Sequence, residues 1–141
     1  MARVFWDTNL FIYLIEDRGA LANRVEDIWR GMTARGDRLY TSALTLGEIL
    51  VKPVNDGARD LELSYLRLLK NPRITVLGFN ADVAPAYARI RADRSIRPPD
   101  AIQLACAASA QIDLFITNDD RLSRKHVPEI KFITSLSRAP L

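Results

Sequence analysis

Short runs of apolar and β-branched residues, each bounded by polar or turn-forming residues, recur along this chain. Such runs are typical of buried β-strands, and they predict strands at Arg3–Trp6, Leu39–Ser42, Ile74–Leu77, Leu114–Thr117 and Lys131–Ile133. Between most of them, apolar residues recur at the spacing of a helix face. These faces comprise Leu21, Val25, Ile28, Trp29 and Met32; Leu61, Tyr65, Leu68 and Leu69; and Val83, Tyr87 and Ile90. The alternation favours a parallel sheet covered by helices, because parallel neighbours need crossover connections.

The segment from Asp100 to Ala110 differs from the other helical patterns because it has almost no polar side. A helix that is apolar nearly all round is buried nearly all round. Pro98 and Pro99 set its start. Cys106 lies within this helix, and we interpret it as a small core residue.

Length and composition limit the architecture and the location of the protein. The chain has 141 residues, of which 48% are hydrophobic, which is enough for one core. We therefore expect residues 1–141 to form a single domain. No stretch resembles a signal peptide or could span a bilayer, which predicts a cytoplasmic protein without a membrane partner. The net charge of +3 suits contact with a polyanion.

Several kinds of chemistry are excluded by the residues that are scarce. Cys106 is the only cysteine and His126 the only histidine, so neither an internal disulfide nor a Cys/His zinc site can form. A reaction that needs a pair of histidines is excluded for the same reason, and we expect His126 to lie on the surface. The sequence also lacks a phosphate-binding Gly-rich loop, a Gly-x-Ser-x-Gly elbow and a dinucleotide fingerprint.

Acidic residues follow the predicted strands at positions that would meet in the fold. Asp7 follows the first strand and Asp119 follows the fourth, while Glu48 lies in an apolar stretch just past the second. Asp100 opens the buried helix. In parallel sheets the functional crevice lies beyond the carboxyl ends of the strands. Taken singly, the three aspartates are explained by a turn or a helix cap and Glu48 by a position facing water, but their joint placement favours a shared site.

A group of acids in one crevice has a clear chemical use. Neighbouring carboxylates repel one another and take up protons unless a cation is present. Hard oxygen ligands select Mg²⁺ or Mn²⁺ rather than zinc, and such ions activate water for phosphodiester hydrolysis. The residues therefore predict a metal site formed by Asp7, Glu48, Asp100 and Asp119, with Asp120 as a neighbouring alternative to Asp119.

These residues resemble the PIN-domain nucleases, and within them the VapC-type toxins of toxin–antitoxin pairs. The resemblance rests on four segments that occur in the family's order: Asp7-Thr8-Asn9, Ser42 through Glu48, Pro99-Asp100-Ala101 continuing into Leu104-Ala105-Cys106-Ala107, and Thr117-Asn118-Asp119. It covers essentially the whole chain. Each segment is short and weakly specific alone, whereas the ordered set is specific.

The resemblance implies a three-layer α/β/α sandwich with a five-stranded parallel sheet, and Mg²⁺- or Mn²⁺-dependent endonucleolytic cleavage of RNA. Asp7, Glu48, Asp100 and Asp119 match the acidic quartet of the family and would be catalytic and metal-binding. Asn9 and Thr117 match supporting polar positions. Gln103 stands at a variable position, from which nothing is inferred. The resemblance further implies an antitoxin protein as partner, received on apolar surface of the first two helices, and a homodimer.

Basic residues flank the predicted acidic site on both sides. One cluster, Arg89, Arg91, Arg94 and Arg97, leads into Asp100, and another, Arg121 to His126, follows Asp119. Phosphate contacts from Arg91, Arg94, Arg97 and Arg121 would position RNA without reading its sequence. The alternative for the first cluster is a solvated helix face on which Asp93 pairs with Arg89 or Arg97.

Three other functions compete with a toxin nuclease. A phosphatase of the haloacid dehalogenase type is disfavoured, because it requires Asp-x-Asp after the first strand and the third position here is Asn9. A noncatalytic RNA-binding or assembly module would tolerate loss of the acids, yet all four are present. A housekeeping RNA-processing nuclease would use the same residues, so the sequence leaves toxin and housekeeping roles open.

Overall fold

The computed structural model describes residues 1–16 and 19–140. Its sheet has five strands in the order β3-β2-β1-β4-β5, and each neighbouring pair is parallel. The strands are β1 (Arg3–Trp6), β2 (Arg38–Ser42), β3 (Ile74–Leu77), β4 (Leu114–Thr117) and β5 (Phe132–Ser135). The predicted five-stranded parallel sheet is therefore confirmed.

The fifth strand lies further along the chain than the apolar pattern predicted. It was predicted at Lys131–Ile133, and it runs from Phe132 to Ser135. Parallel pairing with β4 sets these bounds, since Leu114 is paired with Phe132 and Thr117 with Ser135. Backbone pairing thus carries the strand into Thr134 and Ser135, which an apolar pattern does not detect.

Helices cover both faces of the sheet and complete the three-layer α/β/α sandwich. They are α1 (Thr8–Ile15), α2 (Ala20–Arg35), α3 (Ala43–Asn55), α4 (Arg59–Leu69), α5 (Ala84–Ile90) and α6 (Pro98–Ser109). Alternate residues of β1 point to opposite faces of the sheet. Val4 and Trp6 join the core that α1 to α4 cover, while Phe5 joins the core that α5 and α6 cover.

Most of the predicted helix faces are buried as expected. Val25, Ile28 and Met32 are fully buried in the core, and Trp29 packs edge-on against Trp6 with ring centroids 5.9 Å apart. Leu21 is an exception, because it remains 38% exposed in the first turn of α2 while Ala22 takes the buried position there.

Helix α6 has the predicted all-round burial, and it occupies the layer next to β2 and α5. Cys106 is buried in it, as expected for a core residue. Pro98 is its first residue, where the missing amide donor of proline costs nothing. Within residues 1–16 and 19–140, none of the helices has both the length and the apolar character needed to cross a bilayer.

All strands run in the same direction, so their carboxyl ends meet at one edge of the sheet. Asp7 directly follows β1, while Ser42 and Thr117 are the last residues of β2 and β4. The central position of β1, between β2 and β4, brings these three residues together. The amino ends of α1, α3 and α6 lie at the same edge and frame a cavity.

Candidate active site

The four predicted acids line a single cavity at the carboxyl edge of the sheet. Asp7, Glu48, Asp100 and Asp119 surround a volume of about 280 Å³. The rest of the lining consists of Thr8, Asn9, Arg97, Pro99 and Gln103. The convergence predicted from strand ends and the buried helix is thus seen in the fold, for residues separated by up to 112 positions.

Asp7 is the most constrained of these acids. It is the N-cap of α1, where its Oδ1 accepts a hydrogen bond from the Thr8 amide at 2.8 Å. Its Oδ2 accepts a hydrogen bond from the Thr117 hydroxyl at 2.8 Å. Burial raises the pKa of Asp7 to about 6, and the negative charges of Asp100 and Glu48 add to this effect against the two hydrogen bonds.

Thr117 connects the two acids that follow the central strands. This fully buried residue donates its hydroxyl to Asp7 and accepts the Asp119 amide at 3.1 Å. Asp119 also has a structural task, because its Oδ1 accepts the amides of Arg121 and Leu122 at 2.9 and 3.2 Å. Asp119 thus caps the turn that follows β4, and Thr117 contacts both acids, while its supporting role in catalysis stays a prediction.

Asp100 lies in the first turn of α6 and faces the other acids. Burial raises the pKa of its carboxyl above the ordinary value, and the negative charges of Asp119 and Glu48 raise it further. The cations Arg97 and Arg121 lie close enough to oppose this rise. The charges of Asp7, Asp100, Glu48 and Asp119 thus act on one another across the cavity.

Glu48 reaches the cavity from α3 and is exposed. Its Oε1 accepts a hydrogen bond from the Thr8 hydroxyl at 2.6 Å. Asn9 is also exposed and lines the same cavity from α1. Asp120 lines a different cavity, next to Ser123 and Arg124, so that Asp119 is the acid of this pair that faces the other carboxylates.

Only part of the predicted basic rim reaches the acids. Arg97 and Arg121 line a second cavity of about 280 Å³ that shares Asp100 and Asp119 with the first. Arg124 and Lys125 also line it. Two other predicted RNA contacts do not line either of these cavities: Arg91 donates to the Ile96 carbonyl at 2.6 Å, and Arg94 is exposed.

The helix pairing considered for Asp93 is not what the structure has. Asp93 accepts a hydrogen bond from Lys125 Nζ at 3.0 Å, and Lys125 also donates to the Ser95 hydroxyl at 2.6 Å. Asp93 follows α5, whose last residue is Ile90, so the spacing of a continuous helix does not apply. This contact joins the two basic clusters instead, and His126 beside it is exposed as expected.

Gln103 was assigned no role from the sequence, and the structure places it among the site residues. It is 1% exposed, and its amide nitrogen donates to Thr8 Oγ1 at 3.1 Å and to Thr45 Oγ1 at 2.7 Å. Its Oε1 accepts a hydrogen bond from the Ser42 hydroxyl. A signal was present in the sequence, because Gln103 is the one strongly polar side chain between Ala101 and Ala108.

The carboxylates of the cavity are the kind of ligand that a hard divalent cation prefers, although they are not grouped tightly around one point. Asp7, Glu48, Asp100 and Asp119 offer carboxylate oxygens, which Mg²⁺ and Mn²⁺ prefer. Burial, and to a smaller extent the neighbouring carboxylates, raises the pKa values of Asp7 and Asp100, and a bound cation would lower them again. However, no three His, Cys, Asp or Glu side chains of the described ranges are grouped closely enough to hold a metal as they stand. Mg²⁺ commonly keeps several water ligands beside one or two carboxylates, so this spacing fits an ion that is partly hydrated.

A comparison with protein-family models identifies the family of the chain. The model described as the PIN domain matches residues 4–127, a range that includes all four acids. No curated protein sequence gives a significant match.

Solved structures with the same fold come from toxin–antitoxin pairs. VapBC2 from Rickettsia felis, bound to a DNA fragment from its promoter, superposes with a TM-score of 0.75 at 16% identity over 94% of this chain and 98% of that one. The sarcin-ricin loop cleaving toxin VapC20 from Mycobacterium tuberculosis superposes with a TM-score of 0.70 at 17% identity, over 85% of this chain and 92% of that one. VapBC-5 from Mycobacterium tuberculosis superposes with a TM-score of 0.65 at 22% identity, over 95% of this chain and 99% of that one. At such identities the likeness concerns the fold.

Proposed function

The chain belongs to the PIN domain family, and on that premise we propose that it is a metal-dependent endoribonuclease. The observation that carries the proposal is the convergence of Asp7, Glu48, Asp100 and Asp119 on one cavity. The raised pKa of Asp7, about 6, supports it, because a carboxylate whose charge is costly in the free protein gains most from a cation.

In this proposal Asp7 and Asp100 are the principal ligands of Mg²⁺ or Mn²⁺, and Glu48 and Asp119 complete the set. A bound divalent ion supplies positive charge that lowers the pKa of water and stabilises negative charge on a phosphoryl oxygen. Thr117 keeps Asp7 in place through its 2.8 Å hydrogen bond. Asn9, exposed at the edge of the cavity, is a supporting polar group that orients the attacking water or an acid.

The substrate we propose is RNA, held by its phosphates. Arg97 and Arg121 line the cavity that shares Asp100 and Asp119 with the acidic one, so a phosphate bound there would adjoin the reacting bond. Arg91 and Arg94 would contribute more distant attraction, since neither lines these cavities. Backbone contacts of this kind bind RNA with little sequence preference and weaken as salt increases.

The biological role we propose is the toxin of a type II toxin–antitoxin pair, acting on RNA in the cytoplasm. The fold it shares with VapC20 and with the VapBC structures supports this role. An antitoxin protein is then the expected partner, and a homodimer the expected assembly. A short antitoxin-like reading frame beside the gene, and relief of toxicity when it is expressed, would separate this role from housekeeping RNA processing.

Cleavage of RNA by the purified chain tests the enzymatic part of the proposal. We expect cleavage with Mg²⁺ or Mn²⁺, none with chelator, and a loss of at least about a hundredfold in Asp7→Asn, the usual scale for removing a group that stabilises charge in the transition state. Asp27→Asn is the matched control, because Asp27 is an exposed acid on α2 whose ion-pair partner among the described residues is Arg30 at 3.7 Å. Metal-independent cleavage, or full activity in Asp7→Asn, contradicts the mechanism. Binding of RNA without cleavage would favour the noncatalytic module.

A further inference from the structure

A layer of buried polar side chains lies directly beneath the acidic cavity. Thr41, Ser42, Thr45 and Gln103 are each at most 1% exposed. Two of them are in register with the acids above, since Thr45 precedes Glu48 by one helical turn on α3 and Gln103 follows Asp100 by one turn on α6. Residues three apart share one face of a helix. The layer therefore lies within one helical turn of both acids.

The Thr8 hydroxyl contacts both Glu48 and, at 3.3 Å, Thr45 Oγ1, and the shorter contact with the carboxylate determines where its proton goes. Thr8 Oγ1 lies 2.6 Å from Glu48 Oε1, and a carboxylate oxygen has no proton of its own to give. Thr8 must therefore donate to Glu48. Its oxygen is then left to accept, and Gln103 Nε2 lies 3.1 Å away as the donor. The contact with Glu48 thus determines which end of the Gln103 amide faces Thr8.

Donors and acceptors can be assigned in the same way to the other hydrogen bonds of the layer. With its nitrogen toward Thr8 and Thr45, Gln103 must receive the Ser42 hydroxyl proton on its Oε1. Thr41 donates its hydroxyl to the Trp6 carbonyl at 3.0 Å and to Thr45 Oγ1 at 2.8 Å. The Thr45 hydroxyl lies 3.3 Å from Thr8 Oγ1, which can accept its proton. Each hydroxyl then has an acceptor. A reversed Gln103 amide would leave its nitrogen facing Ser42 and its oxygen competing for the proton that Thr8 gives to Glu48.

We propose that Gln103 and Thr8 are positioning residues, which form a relay from the buried layer to the Glu48 carboxylate and hold it toward the acidic cavity. The inference rests on the proposed nuclease function for its catalytic consequence, although the relay itself is a feature of the fold. Glu48 is exposed, and Thr8 is its hydrogen-bond partner among the described residues. Gln103 acts through Thr8, because its amide nitrogen donates to Thr8 and Thr45, its oxygen accepts from Ser42, and within residues 1–16 and 19–140 it has no hydrogen bond to a carboxylate.

Variants of Thr8 test the relay at the end that faces the cavity. Thr8→Val keeps the size of the side chain and removes the hydroxyl, whereas Thr8→Ser keeps the hydroxyl. We expect kcat for RNA cleavage to fall about tenfold in Thr8→Val, the effect of losing one hydrogen bond to a charged group. Thr8→Ser should restore kcat, while KM and Tm stay near those of the unaltered protein. A Thr8→Val protein with unaltered kcat overturns the proposal, and so does a fall in kcat that Thr8→Ser does not restore.

Gln103→Met tests the buried end of the relay, since methionine is similarly long but carries no amide. We expect it to lower kcat as Thr8→Val does, and the double variant Thr8→Val/Gln103→Met to lose no more kcat than Thr8→Val alone. Independent, multiplicative losses would overturn the relay. Because a buried polar layer is also structural, unfolding in urea is measured for each variant, and the comparison is made on folded protein.

NMR spectroscopy gives a readout that depends neither on activity nor on Gln103→Met folding. In the unaltered chain the Gln103 side-chain amide protons should exchange slowly with water and show cross-peaks to Thr8 and Thr45. The ¹³C signal of the Glu48 carboxylate should shift in Thr8→Val and return in Thr8→Ser. Fast-exchanging Gln103 amide protons, or a Glu48 signal indifferent to Thr8→Val, refute the relay. If these signals behave as expected while the unaltered chain fails to cleave RNA, the proposed function fails and the relay stands.

Discussion

Replacement of Asp7 by asparagine should make the metal-free protein more stable at neutral pH while it abolishes cleavage. Folded Asp7 keeps its proton up to about pH 6, whereas the unfolded chain loses it near 3.8. Between these pH values the folded state binds the extra proton, so the free energy of unfolding falls as the pH rises through this window and stays low above it. Asparagine has no charge to bury and avoids this loss.

The size of the effect follows from the two pKa values. A change from 3.8 to about 6 corresponds to about 3 kcal/mol at about 1.36 kcal/mol per pKa unit. The side-chain oxygen of asparagine can still accept a hydrogen bond from the Thr8 amide. Its nitrogen cannot accept one from the Thr117 hydroxyl, and the loss of that hydrogen bond costs about 1 kcal/mol. We therefore expect the free energy of unfolding of Asp7→Asn to exceed that of the unaltered protein by about 2 kcal/mol at pH 8. This corresponds to a Tm that is roughly 6 to 8 °C higher. Near pH 4.5 the unaltered protein loses only about 1 kcal/mol to the ionisation of Asp7, which equals the cost of the weaker contact of asparagine with Thr117. The two proteins should therefore be about equally stable at that pH.

Urea unfolding in the presence of chelator, at pH 8 and at pH 4.5, measures this difference. Asp113→Asn is the control of opposite sign, because the Arg3 amide and Lys131 lower the pKa of Asp113, and its loss should destabilise the protein at pH 8. Added Mg²⁺ or Mn²⁺ should reduce the difference in free energy of unfolding between the two proteins, because the ion stabilises only the unaltered protein. An Asp7→Asn protein less stable than the unaltered one at pH 8, or a difference independent of pH, would refute the reasoning.

Three further predictions concern the rim, the core and the loop beside the site. Arg97→Ala should weaken RNA binding and reduce its salt dependence by about one charge, whereas Arg94→Ala, outside the two cavities, should have the smaller effect; equal losses in filter-binding titrations would contradict the assignment of the rim. Phe115→Ala should cost about 3 to 5 kcal/mol in urea unfolding, because this fully buried ring stacks on Phe5 at 4.9 Å; a loss below about 1 kcal/mol would contradict this packing. Asp93→Asn should speed hydrogen exchange of the Ser95 amide, which donates to Asp93 Oδ1 at 3.0 Å. The pKa of Asp93, lowered to about 2 by Ser95 and Lys125, keeps this contact down to acidic pH, so exchange that is unaltered by the substitution would show that the contact does not order the loop.

The sequence by itself predicted the five strands, four of the helices and the location of the acids, but it did not predict α1 and α3 as helices. Strands and buried helices have local signatures, because side chains alternate along a strand and return to the same face about every turn of a helix. The position of Asp7 after β1 and of Asp119 after β4 followed from this, since parallel strands end at one edge of the sheet. Even the all-round burial of α6 was visible as a run of apolar residues.

The tertiary structure alone decided which side chains meet. The order of the strands, the pairing of Lys125 with Asp93 and the choice of Arg97 over Arg94 at the cavity depend on contacts between distant segments, which local periodicity does not encode. Gln103 shows the same limit: its type was conspicuous in an apolar helix, but its hydrogen bonds to Thr8 and Ser42 exist only because α1, β2 and α6 converge. The role of a buried polar residue depends on its hydrogen-bond partners, and tertiary packing determines which partners it has.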